Sequence, residues 1–293
     1  MWKTSGYPLN ISSIAADDIF IGWKDFLAVS NNKVSNLRTG KVVSDDTAAV
    51  DDCSLSRDHF AIVRRGKCRI HGLYDGFEHE IENLDGVLQI SMMAQDRLAL
   101  RTATHVLIYD YKNCTSKSWE LRCSRIAAGL GHLVALSTEG KVFVYGDGSR
   151  GQRGSGDLSA DEELRPLAHL EDLDITHVSA GGWHSAAISD RGYLYQWGWN
   201  QHGQCGGPRG DSRNVVGLPE LRDVGIRLRD VRCGSRHTVV LTDDGRLLSW
   251  GWDDFGQCSK IDRTCCSGSS KGKTLEAGFW TTAYKLCEVC RGS

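Results

Sequence analysis

Three stretches of this 293-residue chain repeat one another closely enough to dictate how it is built. Residues 126–154 read IAAGLGHLVALSTEGKVFVYGDGSRGQRG, residues 178–206 VSAGGWHSAAISDRGYLYQWGWNQHGQCG, and residues 231–258 VRCGSRHTVVLTDDGRLLSWGWDDFGQC. His132, His184 and His237 stand at one place in the register, followed by Gly140, Gly192 and Gly245. The aromatics Tyr145, Trp197 and Trp250 come next, each with a glycine behind it, and then Gly151-Gln152, Gly203-Gln204 and Gly256-Gln257. Self-similarity on this scale marks a repeat architecture, in which each unit covers its apolar face against the next. Within each copy an apolar run, a turn (Thr-Glu-Gly, Asp-Arg-Gly or Asp-Asp-Gly) and a second alternating run spell an antiparallel hairpin. No copy carries a sustained helical period.

The first apolar strand can be followed along the whole chain. It reads LAVS at 27–30, FAIV at 60–63, LALR at 98–101, VALS at 134–137, AAIS at 186–189, VVLT at 239–242 and TAYK at 282–285. The spacing between copies leaves room for a four-stranded blade each time. The last copy, at 275–290, stops after about two strands, while the opening MWKTSGYPLN resembles the second half of a repeat. Joining the two would remove the sheet edges that invite aggregation. The expected fold is therefore all-β: a seven-bladed β-propeller closed by pairing of N- and C-terminal strands. It is expected as one unit over 1–293, with divergent blades in 11–120, clear repeats in 124–285, and a closing blade from 1–10 and 274–293. The 33 Gly against four Pro fit many tight turns.

Charge and composition narrow the function. A net charge of -2 argues against strong nucleic-acid binding through bulk charge, whose mark is a strongly basic face. No apolar run is long enough for a transmembrane helix, and the N-terminal residues lack the apolar stretch of a signal peptide. Eleven scattered cysteines, an odd number, fit reduced thiols in the nucleus or cytoplasm better than a disulfide framework.

Several motifs suggest chemistry and lose it in context. His132, His184 and His237 occupy equivalent places in successive blades, so a propeller spreads them round a ring instead of gathering them on a metal; hydrogen bonding between strands or blades is expected of them. Gly146-Asp-Gly148-Ser-Arg-Gly151 matches a dinucleotide-binding pattern, but no helix follows to cradle phosphate, and a turn is expected. Cys287-x-x-Cys290, with Cys265-Cys266 upstream, hints at zinc, yet strand positions three apart face opposite sides. Cys205 and Cys258 read as small core residues. No nucleophile elbow or converging acid–base pair is present. No catalysis, cofactor or metal is expected.

Tryptophan and arginine carry the remaining signal. Trp183 sits where neighbouring copies have Gly131 and Arg236, and Trp280 holds the same place in the last copy. Variable residues at a fixed repeat position let a propeller face acquire specificity, and Trp and Arg dominate binding hot spots. Trp183, Arg236 and Trp280 are thus candidate partner-binding residues. Trp199 and Trp252 would share a face with Trp197 and Trp250 if their strands ran on unbroken through Gly198 and Gly251. Between residues 147 and 174 acids outnumber bases, whereas residues 207–232 are arginine-rich. Asp161, Glu162 and Glu163 in the acidic stretch are further candidates, for a basic partner such as a histone tail.

Trp197-Gly-Trp-Asn200 with Gly203-Gln204, and Trp250-Gly-Trp252 with Gly256-Gln257, resemble the regulator-of-chromosome-condensation repeat. Ala180-Gly-Gly-Trp-His-Ser185 and Cys233-Gly-Ser-Arg-His-Thr238 look most like a small chromatin-associated member of that family, one that consists of a lone such domain and partners a jumonji-type oxygenase. The resemblance covers roughly 124–285. It implies a seven-bladed propeller and a protein-binding adaptor in chromatin regulation, touching histone methylation and chromosome segregation. It also implies an alternative, guanine-nucleotide exchange on a small GTPase, for which 207–229 is the one segment with room to conceal a wedge. Family members that sense ultraviolet light use Gly-Trp-Arg-His motifs. Here Trp183-His184 and Arg236-His237 divide that motif between two blades, which argues against light sensing.

Overall fold

The computed structural model describes residues 2–6, 16–21, 25–44, 48–206, 215–258, 275–277 and 281–285. In chain order, β1 (Trp2–Gly6) precedes blade 1, which holds β2 (Asp18–Ile21), β3 (Phe26–Ser30), β4 (Lys33–Asn36) and β5 (Val42–Ser44). Blade 2 holds β6 (Asp52–Leu55), β7 (His59–Arg64), β8 (Lys67–Gly72) and β9 (Glu78–Glu80). Blade 3 holds β10 (Gln89–Met92), β11 (Arg97–Arg101), β12 (His105–Asp110) and β13 (Thr115–Glu120). Blade 4 holds β14 (Cys123–Ala128), β15 (His132–Ser137), β16 (Val142–Gly146) and β17 (Asp161–Pro166). Blade 5 holds β18 (Ile175–Ala180), β19 (His184–Ser189), β20 (Leu194–Trp199) and β21 (Val215–Arg222). Blade 6 holds β22 (Leu228–Cys233), β23 (His237–Thr242) and β24 (Leu247–Gly251), and β25 (Leu275–Ala277) and β26 (Thr281–Lys285) follow it.

Each blade is an antiparallel meander of consecutive strands. The closing sheet is different: its order is β1-β26-β25, with Trp2 opposite Lys285 and Gly6 opposite Thr281. The expectation of seven blades is corrected here. Six sheets are blades of continuous chain, and the remaining sheet is a three-stranded seam made from both ends. The terminal segments supply only one strand and two among the described residues, so no full repeat fills that place. The first strands of neighbouring sheets meet one another, β25 with both β22 and β2 included, so the ring is closed around a central channel.

The divergent N-terminal stretch still makes three four-stranded sheets. Its hairpins use residue pairs with positive φ, such as Asn31-Asn32 and Arg65-Gly66, a backbone twist that matches the strands they join. Side chains on the innermost strands stitch these blades together. Ser54 Oγ accepts from Met92 N at 2.9 Å, Ser91 Oγ from Ala128 N at 3.0 Å, and Ser179 Oγ from Cys233 N at 2.9 Å.

Those serines also fix the register. Ala61, Ala99 and Ala186 stand opposite Ser54, Ser91 and Ser179 and are therefore equivalent. The apolar quartets assigned to the fourth, fifth and sixth copies thus start one residue too late: the equivalents of FAIV are residues 133–136, 185–188 and 238–241. A one-residue slip exchanges the faces of a strand, and short apolar runs carry no mark of face. With the slip removed, each second strand opens on the same repeat position: Phe26, His59, Arg97, His132, His184, His237 and Thr281.

The core lies between sheets. Trp197, Leu170, Val178 and Cys205 sit in one cluster between blades 4 and 5, while Phe60, Leu27 and Val34 join blades 1 and 2.

Candidate functional site

The repeat signature turns out to be a latch between blades. His132 Nε2 lies 2.9 Å from Ser185 Oγ, His184 Nε2 3.0 Å from Thr238 Oγ1, and His237 Nε2 3.0 Å from Thr282 Oγ1. Each hydroxyl donates its own hydrogen to a glutamine carbonyl: Ser185 to Gln152 at 2.9 Å, Thr238 to Gln204 at 2.8 Å, and Thr282 to Gln257 at 3.3 Å. A hydroxyl has one hydrogen, so it must accept from the imidazole, which places the proton on Nε2. Trp197 Nε1 donates to the same Gln152 carbonyl and Trp250 Nε1 to that of Gln204. The histidine, the aromatic and the Gly-Gln pair therefore meet at one backbone oxygen. Burial lowers the imidazole pKa values to about 4 for His132, about 3 for His184 and about 4 for His237, so all are neutral. These histidines bond between blades, as expected. Where the next blade offers Leu98 or Leu133 in place of the hydroxyl, the latch is absent.

The glycine motif at Gly146–Gly151 is a turn, with Gly151 N bonded to Gly148 O at 2.7 Å and no helix behind it. Cys205 is fully buried, its Sγ 3.5 Å from Trp199 O. Cys265, Cys266, Cys287, Cys290 and Trp280 lie outside the described residues. Among the described residues no group of His, Cys, Asp and Glu is placed to hold a metal, and no helix is long and apolar enough to cross a membrane.

At the mouth of the channel a cavity of about 420 Å³ is lined by Leu55, Asp58, His59, Met93, Asp96 and Gly182, among others. The residue before each second strand lies at this end of its blade, and in blades 2 and 3 it lines the cavity itself. It is Asp25, Asp58 and Asp96 in blades 1 to 3, Gly131 in blade 4, Trp183 in blade 5 and Arg236 in blade 6. One side of the ring is thus acidic and the other aromatic and basic. Asp25 is buried and held by Arg38 at 3.0 Å and by Asn36 at 2.9 Å.

On the aromatic side a stack of rings and guanidiniums runs across blades 4 to 6. Trp183 meets Trp199 edge to face at 5.4 Å, Trp199 meets His202 at 5.6 Å, and Trp252 meets Phe255 at 5.3 Å. The Arg150 guanidinium lies 4.5 Å from the Trp199 centroid and 5.6 Å from that of Trp183. The Arg236 guanidinium lies 5.8, 5.4 and 5.6 Å from Trp183, Trp199 and Trp252. Each such contact contributes about 0.5–2 kcal/mol, more as water is excluded. Trp199 reaches this face because Gly198, at φ 107°, turns the strand where its pairing with β21 shifts register. The two tryptophans do not share a face: Trp197 is wholly buried between blades and Trp199 joins the stack. Arg236 has its pKa lowered by burial first and by Arg150 second.

Trp183 and Arg236 are therefore brought together. Asp161, Glu162 and Glu163 are not part of that cluster: they lie on β17, the outer strand of blade 4. Asp161 is paired with Arg165 at 3.1 Å, and Glu163 with Lys117 at 2.6 Å and with Trp119 Nε1 at 2.9 Å. Arg150, Trp199, His202, Trp252 and Phe255 were not singled out from the sequence as binding residues. A signal was available: Arg150, His202 and Phe255 each stand directly before the repeat's Gly-Gln, a second variable position in fixed register.

A closed ring of antiparallel sheets, completed by strands from both ends and latched through repeated His and Gly-Gln elements, defines a repeat propeller. Residues 123–152, 175–204 and 228–257, and 139–188 and 191–241, match models of the regulator of chromosome condensation (RCC1) repeat, so the chain carries RCC1 repeats over that stretch. It is 34% identical over 214 residues to RCC1 domain-containing protein 1 of Mus musculus, covering 58% of this chain and 57% of that protein. The Homo sapiens counterpart is 34% identical over 185 residues, covering 50% of this chain and 48% of that one. The chain thus spans about half the length of these relatives. Among solved structures, Prp20p of Saccharomyces cerevisiae, described with its binding to Gsp1p and histones, superposes with a TM-score of 0.73 at 16% identity, covering 93% of this chain and 83% of that one. At that identity the likeness speaks for the fold.

Proposed function

We propose that the chain is a non-catalytic protein-binding adaptor and that its partner docks on the Trp183–Arg236 face. One observation carries this: two guanidiniums lie over three tryptophans beside the channel mouth, the residue types that dominate binding hot spots, at repeat positions free to vary. The latch, by contrast, uses the histidine and Gly-Gln that recur in all three clear copies. Two of the three carboxylates on β17 already hold cations, so the acidic strip is the lesser surface for a basic segment. The partner we propose is a jumonji-type oxygenase in a nuclear, chromatin setting, with histones as a second candidate. The sequence resemblance supports the oxygenase, and the likeness to Prp20p, described with its binding to histones, supports the second candidate.

The test is affinity purification of the tagged chain from its own cells, read by mass spectrometry. The adaptor reading expects a jumonji-type oxygenase or histones in stoichiometric amount. A small GTPase released by added GTP would replace it with nucleotide exchange.

A further inference from the structure

Arg150 and Arg236 share one stack of rings, and among the described residues neither is paired with a carboxylate. Arg236 Nε is buried without a hydrogen-bond partner. Both guanidiniums lie within 5.4 Å of the same Trp199 centroid. Two like charges held this close in a partly buried site cost free energy, which an incoming anion offsets. A guanidinium lying on an indole still presents its in-plane fork of N–H donors, a geometry that matches a carboxylate.

Other anions fit less well. Stacking a nucleic-acid base needs open aromatic faces, and here guanidiniums lie over the indoles of Trp183 and Trp199. Asp58 and Asp96 line the far side of the same mouth, where a phosphate backbone crossing it would be repelled. A short segment confined to the tryptophan side avoids them.

We propose that Arg150 and Arg236 hold the carboxylates of a short acidic peptide segment of the partner, laid along the Trp183–Trp252 side of the mouth. This rests on the reading that the partner docks on this face.

The experiment is a titration of the purified chain with hexaglutamate, hexalysine and a six-nucleotide oligothymidylate, followed by tryptophan fluorescence. Hexaglutamate should change the emission, with an affinity that falls by about tenfold or more in the Arg150→Gln, Arg236→Gln double variant. In the unaltered chain its binding should weaken steeply with added salt, a measurement that needs no variant to fold. The other two probes should leave the emission unchanged. No response to hexaglutamate, a response insensitive to salt and to the double variant, or tighter binding of oligothymidylate would each overturn the proposal. So would light scattering that shows a dimer dissolved by Arg236→Gln, which would give the face to a second copy. If Trp183→Ala abolishes partner capture while hexaglutamate does not bind, the docking face stands and the acidic ligand falls.

Discussion

His184 donates from Nε2 to the Thr238 hydroxyl of the next blade across 3.0 Å, in a site with no exposed surface. The neutral imidazole is therefore part of the joint between blades 5 and 6, and His132 and His237 play the same part on either side. An unfolded histidine titrates near 6.5. These three titrate at about 4, 3 and 4 in the fold, so below 6.5 the unfolded chain binds more protons than the folded one. Their stabilisation is fully present above pH 6.5 and is lost as pH falls toward 4. The loss should be about 2 kcal/mol per histidine at pH 5. Urea melts at pH 7.5 and pH 5 check this; equal midpoints would show that the imidazoles are not the groups that titrate.

Thr238 makes more contacts than its size suggests. Its hydroxyl accepts from His184 Nε2 and from Gln196 Nε2 at 3.1 Å and donates to Gln204 O. Thr238→Val keeps the volume and takes the acceptor from two buried N–H groups, on His184 and Gln196, so it should cost about 2–4 kcal/mol, whereas Thr238→Ser should cost less than about 1 kcal/mol. Denaturant midpoints for the two variants provide the comparison.

Gly198 and Gly225 both have positive φ but differ in surroundings. A Cβ on Gly198 would lie 2.6 Å from the His184 Cα and from the Trp183 carbonyl, whereas one on Gly225 would meet nothing within 4 Å. Gly225→Ala should cost about 1 kcal/mol from backbone strain alone, and Gly198→Ala about 3 kcal/mol or more. The Gly198 variant should also change near-ultraviolet circular dichroism, because Trp183 and Trp199 flank it.

How much of this could be read from sequence differs by element. The three clear copies were legible because His, aromatic and Gly-Gln converge on one carbonyl and tolerate little change. The three N-terminal blades share no such latch, since Phe60, Leu98 and Leu133 stand where its hydroxyl would be. Only their apolar runs show, and those do not disclose register. The full seventh blade was overcounted because a strand pair at one end and a strand at the other resemble halves of a repeat without supplying all of it among the described residues. Trp183 and Arg236 were found by their variable place in a fixed frame. The acidic run 161–163 was visible as charge, but while Arg165 follows Asp161 on the same strand, Lys117 declares itself only once β13 and β17 lie near one another. Trp199 was ambiguous, because the direction of a side chain after a glycine depends on that glycine's φ.

The account holds that the Trp183–Arg236 face binds and the latch supports. Arg236→Gln gives up contacts with three indoles, about 0.5–2 kcal/mol each, and relieves the crowding by Arg150, so it should cost at most a few kcal/mol and leave the chain folded while partner binding is lost. The most direct measurement is therefore quantitative affinity purification of wild type, Arg236→Gln and Glu162→Gln side by side, with thermal melts of each. The account predicts that all three melt cooperatively as folded proteins, with partners kept by Glu162→Gln and lost by Arg236→Gln. Partners recovered at equal yield with Arg236→Gln would contradict it.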